Sequence, residues 1–244
     1  MSAHEIALFG DQIAASRVAS RFSGIDAASL LRLAVKDLYP GRIALVSSFG
    51  ADSAVLLHMI STIDKATPVV FVDTLQLFPE TLAYRDKLVA HLGLANVIEA
   101  TPDADELNRE DEENFLWASD PDKCCDIRKT QPLAKALEGY EAWITGRKQF
   151  QSGTRAALPF FEAEGERVKV NPLAGWNAKM LLAYLDAHAL PRHELVAKGY
   201  PSIGCLPCTS PVRPGEDERA GRWRGRGKVE CGIHLGALQA GSDI

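Results

Sequence analysis

Four short apolar runs, set between stretches of helical patterning, constrain the fold of this chain more than any other feature. They are RIALVSS (42–48), PVVFVDT (68–74), ANVIEA (95–100) and EAWITG (141–146). Runs of this length without polar alternation suit strands buried on both faces. Between them, SAVLLHMI and PETLAYRDKLVAHLG read as helices, the second with Pro79 in its first turn and Gly93 just past its end. Residues 1–38 also read as helical, with Asp26 as the N-cap of AASLLRLAVKDL. This alternation predicts an α/β fold, a doubly wound, mainly parallel sheet covered on both faces. Such sheets bind ligands beyond the carboxyl ends of their strands, which marks 47–53, 72–75 and 145–147 as a candidate crevice.

Beyond residue 150 the character changes. One amphipathic helix, NAKMLLAYLDAHAL, precedes a stretch at 199–232 that is rich in Gly, Pro and charge. We therefore expect one domain spanning 1–244, with an α/β core at about 40–190 and a loop-rich tail at about 199–244 laid over the sheet. No apolar run approaches the ~18 residues a membrane span needs. The N-terminal MSAHEIALFGDQ lacks a basic flank followed by an apolar stretch, so a cytoplasmic location with no membrane partner is expected. The net charge of −5 argues against a nucleic-acid partner.

The five cysteines are unevenly placed. Cys124 and Cys125 are adjacent, Cys205 and Cys208 form C-x-x-C, and Cys231 stands alone. An odd number in such a chain argues against a disulfide framework. Two tight pairs suit either tetrahedral zinc or an iron–sulfur cluster. Adjacent thiolates fit separate irons of a cubane more easily than two corners of one small tetrahedron, which favours [4Fe–4S].

The turn Ser48-Phe49-Gly50-Ala51-Asp52-Ser53 joins the first strand to a helix, so its backbone N–H groups can point at an anion. A plain βα turn capped by Asp52 or Ser53 would read the same way. The turn resembles the PP-loop, S-G-G-x-D-S, of ATP pyrophosphatases and their relatives, with Phe49 in place of the first Gly. The Phe49 side chain is expected to occupy the space where backbone would approach a ligand, which disfavours pyrophosphate cradling for ATP cleavage. Downstream, Arg213, Arg219, Arg222, Arg224, Arg226 and Lys228 face only Glu216, Asp217 and Glu218, a local excess of positive charge. Such a run is either a solvated face or an anion site.

Three further segments carry a more specific resemblance. They are KCCDIRK (123–129), GCLPCT (204–209) and ECGIH (230–234). With the altered PP-loop, they resemble, in the same order, the signatures of the assimilatory adenylyl-sulfate reductases, over roughly residues 40–235. Related 3'-phosphoadenylyl-sulfate reductases share the loop and the Glu-Cys-Gly ending but generally lack the paired cysteines. The resemblance implies reduction of adenosine 5'-phosphosulfate to sulfite and AMP, with thioredoxin or a similar dithiol as donor. It implies a [4Fe–4S] cluster on Cys124, Cys125, Cys205 and Cys208 that keeps its redox state, and Cys231 as the nucleophile forming S-sulfocysteine.

The strand-end crevice puts Ser47, Ser48, Phe49, Gly50, Asp52, Ser53, Leu75 and Gly146 on the nucleotide side. The resemblance implies that Lys129, Arg155, Arg219 and Arg222 contact the phosphosulfate, and His234, three residues past Cys231, is added as a substrate residue and candidate proton donor. Where the family carries Arg-Arg-Asp-Gln-Ser, this chain has RKQFQS (147–152), with Phe150 at the Asp position. Rival readings are a 3'-phosphorylated or dual substrate, an ATP-dependent thiolating or amide-forming enzyme, and a non-catalytic cluster sensor. A homo-oligomer is compatible with all of them.

Overall fold

The computed structural model describes residues 24–151, 155–228, 230 and 232–234, the last by its backbone alone. The helix expected within 1–23 and the thiol of Cys231 lie outside the described residues.

Asp26 caps α1 (Ala27–Arg32), its carboxylate accepting from the N–H groups of Ala28 and Ser29 at 3.0 Å. The helix continues into wider π-type turns at Leu33–Leu38. Then β1 (Ile43–Ser47), α2 (Ser53–Ile63), β2 (Val69–Val72), α3 (Pro79–Leu92) and β3 (Val97–Ala100) alternate as the apolar pattern predicts. α3 stops at Gly93, whose φ of 64° is the left-handed conformation that ends helices. The short helices α4 (Ala104–Glu110), α5 (Leu116–Ser119), α6 (Pro121–Cys125) and α7 (Gln131–Ala136) follow, with π-type turns at Asp126–Thr130. After β4 (Ala142–Ile144) come β5 (Phe161–Glu164), β6 (Arg167–Val170), α8 (Ala178–Ala187) and α9 (Glu194–Ala197).

The strands form one sheet in the order β3-β2-β1-β4-β6-β5. Every pairing is parallel except β5 with β6. Leu45 of β1 sits between Val69 and Ile144, so β1 is central and fully paired. From β1 the chain moves outward through β2 and β3, then returns to β1's other side as β4. Adjacent strands leaving in opposite directions open a crevice above the β1 and β4 carboxyl ends.

One face of the sheet buries Leu45, Val69 and Phe71 against Leu30, Leu31, Leu57, Ile60 and Leu88. The other buries Ala44, Val70 and Trp143 against Leu133 and Leu137 of the α7 region. Each large side chain so buried contributes about 1.5–3 kcal/mol. Among the described residues, no helix is long and apolar enough to cross a membrane.

The β5–β6 hairpin extends the sheet beyond the strands expected from sequence. Its segments, FEAE and RVKV, carry charge where a buried strand should not. The charges are internally matched: Lys169, with none of its surface exposed, lies 2.6 Å from a Glu164 oxygen and over the Trp143 ring.

Candidate active site

A cavity of about 240 Å³ lies at the strand ends where the connections diverge. Its floor is the β1 terminus and the turn after it, with Ser47, Ser48, Gly50, Asp52 and Ser53 in the lining. The Phe49 side chain is not in this lining, contrary to its expected place on the nucleotide side. Its φ is 47°, and its ring is wholly buried, perpendicular to that of Phe71 with centroids 5.3 Å apart. The loop surface above is left to Ser48 and Gly50, so the obstruction expected of a Phe at this position does not arise. Leu75, at a positive φ of 60°, is also absent from the lining and is 57% exposed.

The opposite wall comes from the β4 terminus, with Thr145, Gly146, Arg147 and Lys148. Lys148 is buried and reaches across to the Asp52 carboxylate at 2.9 Å, tying the two loops together. Asp52 thus occupies the helix N-cap position without capping α2 through its side chain. Thr145 donates to Asn171 at 2.6 Å, and Arg147 pairs with Glu162 at 2.5 Å, which fixes this wall against the β5–β6 hairpin. Glu218 also lines the cavity; burial, then the nearby Asp52 charge, pushes its carboxyl above the usual range.

The tail supplies the roof. Its Arg219, Arg222, Trp223, Glu230 and Ile233 line the same space, and Lys129 and Arg155 join them from outside the tail. Arg222 lies over the Trp223 ring at 4.5 Å, and its buried Nε has no hydrogen-bond partner among the described residues. A buried cationic donor with spare capacity is what an anion site requires. Gly204 makes this placement possible, since a Cβ there would come within 2.5 Å of the Arg222 guanidinium carbon. Arg155 grips the Glu230 carboxylate with Nε at 2.7 Å and Nη2 at 2.8 Å. Elsewhere the tail is tied down by Arg226 over Trp117 and by Lys228 on the Pro121 carbonyl at 3.3 Å.

Beside the cavity are the four paired cysteines. Cys124 and Cys125 sit at the end of α6, both buried. Cys205 is held by a backbone bridge to Leu77 and lies 3.2 Å from the Thr74 hydroxyl. The thiols sense one another: burial first, then Cys125, pushes Cys124 up to about 12, with Cys205 and Cys208 adding to the rise. Burial, then Cys205, also raises Cys208. Burial pushes Cys205 up too, but Lys129, Thr74 and Arg222 together bring it below its ordinary value. Lys129 therefore stands between the cavity and the C-x-x-C thiols. Arg128 is buried beneath, held by Asp111 at 2.7 Å, Asn114 at 2.9 Å and the Thr74 carbonyl at 3.0 Å.

Among the described residues, no group of three or more His, Cys, Asp or Glu side chains gathers closely enough for a metal ion. Four mutually interacting thiols beside cationic side chains nonetheless have the donor chemistry of a soft-metal site. A cubane takes one thiolate per iron, so its ligands need not meet at a single ion.

Sequence reasoning alone does not single out Lys148, Glu218 or Glu230. Their roles come from partners 96, 166 and 75 residues away, respectively Asp52, Asp52 and Arg155. A lone acid next to a candidate nucleophile, and a Lys at a strand end, were the available signals.

The model for the phosphoadenosine phosphosulfate reductase domain matches residues 42–211. An adenosine 5'-phosphosulfate reductase of Mesorhizobium japonicum is 52% identical over 91% of this chain and 90% of its own length. One from Chelativorans sp. is 51% identical, covering 94% of each. Among solved structures, the phosphoadenylyl-sulfate reductase of Candida auris, a phosphate complex, superposes with a TM-score of 0.71 at 29% identity. That match covers 83% of this chain and 98% of the other.

Proposed function

The chain belongs to the phosphoadenosine phosphosulfate reductase family, and from that premise we propose how its cavity reduces adenosine 5'-phosphosulfate to sulfite and AMP. The observation that carries the reading is the cation-lined cavity at the divergence of β1 and β4, roofed by the segment that leads into Cys231. The choice of substrate is supported by the relatives named for it, which match this chain over nearly its whole length.

The nucleotide lies over the Ser48–Ser53 turn, in the space that the buried Phe49 leaves free. Lys129, Arg155, Arg219 and Arg222 meet the phosphosulfate; planar guanidinium forks suit its oxygens. The Cys231 thiolate attacks the sulfate sulfur, the S–O bond to the phosphate breaks, and AMP departs with that electron pair. The product on the enzyme is S-sulfocysteine. A thiolate of a dithiol donor such as thioredoxin then attacks the Cys231 sulfur and expels sulfite. The donor's second thiol resolves the mixed disulfide, so both electrons come from the dithiol. The cations offset charge on the sulfate during attack and on AMP as it leaves. His234, three residues past Cys231, is read as a further substrate residue.

Cys124, Cys125, Cys205 and Cys208 would hold a [4Fe–4S] cluster, supplying a fixed structural and electrostatic centre beside Lys129 and no electrons to the substrate. We read the enzyme as a cytoplasmic part of sulfate assimilation.

Steady-state assays on both nucleotides test the reading. Efficiency should be much higher on adenosine 5'-phosphosulfate, and Cys231→Ser should release no sulfite. A clear preference for the 3'-phosphorylated nucleotide would overturn the substrate, and sulfite release by Cys231→Ser would overturn the nucleophile.

A further inference from the structure

We propose that Glu230 is a positioning residue that anchors the nucleophile's segment over the cavity through Arg155 and Arg219; this rests on the reading of Cys231 given above. The pair is built as an anchor. Both side chains are only 9% exposed, and the carboxylate meets Arg155 in a two-point fork at 2.7 and 2.8 Å. Arg155 is itself held, its Nη1 donating to Gln151 at 2.7 Å. Arg219 adds a third contact to Glu230 at 3.3 Å. Bidentate charge-assisted pairs of this type fix orientation as well as distance.

The other side of position 231 is also fixed. Gly232 approaches the Thr130 hydroxyl so closely that a Cβ would lie 3.0 Å from it. Ile233 packs against the cluster of Leu133, Leu137 and Trp143 and lines the cavity. The chain is therefore held immediately before and after Cys231, once by charge and once by packing. The charged contact uses two arginines from the cavity wall, so the roof and the anion site share their cations.

An alternative use of the same carboxylate would be to fill the arginine fork until substrate displaces it. The two uses predict opposite results. Anchoring predicts that Glu230→Gln, equal in shape but uncharged, slows sulfo-enzyme formation at saturating nucleotide at least tenfold. AMP affinity should change less than threefold, and Glu230→Asp should recover part of the rate. In the substrate-free protein, tryptic cleavage after Lys228, resolved by mass, should be at least fivefold faster in Glu230→Gln than in wild type. An unchanged rate of sulfo-enzyme formation would overturn the proposal, as would nucleotide binding tightened more than threefold with no loss of rate. Should the wild type form no adduct, the parent reading fails, and the proteolysis comparison still decides whether Glu230 anchors the tail. Equal cleavage in wild type and variant would then reject the anchor.

Discussion

Two glycines in the tail separate a functional constraint from a folding one, and their alanine variants should fail in different ways. At Gly204, an added Cβ meets the end of the Arg222 side chain, with the guanidinium carbon 2.5 Å away. Arg222 can swing aside, because among the described residues its guanidinium has no carboxylate partner, only a 3.4 Å contact to the Ile203 carbonyl and its stacking on Trp223. The lost chain freedom of a Gly→Ala change offsets some strain, by about 0.4–1 kcal/mol, so net stability should move by less than about 1 kcal/mol. If Arg222 holds the substrate anion as proposed, displacing it removes a charge-assisted contact worth about 1.5–3 kcal/mol. At about 1.4 kcal/mol per decade, kcat/KM should fall roughly 10- to 150-fold.

At Gly221 the added Cβ would instead collide with the backbone carbonyl of Ser210, whose own N–H is bonded to the Gly221 carbonyl at 2.9 Å. Backbone cannot swing away, and overpacking of this kind costs about 1–3 kcal/mol. For a chain of this size that lowers Tm by roughly 2–4 °C per kcal/mol. Thermal unfolding and initial-rate assays on both variants are sufficient. Full activity in Gly204→Ala would refute the placement of Arg222 on the substrate. A Tm loss in Gly204→Ala as large as in Gly221→Ala would refute the claim that the side chain yields.

Three other outcomes follow from the same structure. Asp111→Ala leaves Arg128 buried without its carboxylate and removes the acceptor for the Phe115 and Leu116 N–H groups; urea unfolding should show a loss of about 3–5 kcal/mol, and Asp111→Asn a smaller one. His193 accepts from the Leu195 N–H through Nδ1 and meets Thr81 through Nε2, and burial first holds its pKa below the ordinary imidazole value. The unfolded chain therefore takes up the proton first, so this contribution to stability is complete above pH ~6.5 and is lost as pH falls through the folded pKa. Denaturation midpoints between pH 5 and 8 should show this loss, flattened in His193→Asn, and equal slopes in both proteins would reject the role. Finally, Cys124→Ser should lose bound iron and acid-labile sulfide, whereas zinc in the wild-type protein would overturn the cluster.

The centre of the sheet was legible in the sequence because β1, β2 and β4 are almost wholly buried and so read as unbroken apolar runs. The same logic hid β5 and β6, whose charges look solvated in sequence yet neutralise one another around Lys169. The helices between β3 and β4 are too short to show a helical period. At the site, residue types were readable while orientation was not. Phe49 reads as an obstruction until its positive φ is known, and Leu75 reads as a crevice residue until its turn is seen. The Arg155–Glu230 pair spans 75 residues of sequence, and no local pattern announces it.

Mass spectrometry of the intact protein, mixed with adenosine 5'-phosphosulfate in the absence of any thiol, tests the central claim most directly. One sulfite-sized addition should appear, map to Cys231 and leave as sulfite on adding a dithiol. No addition, or an addition on any of the four paired cysteines, would contradict it.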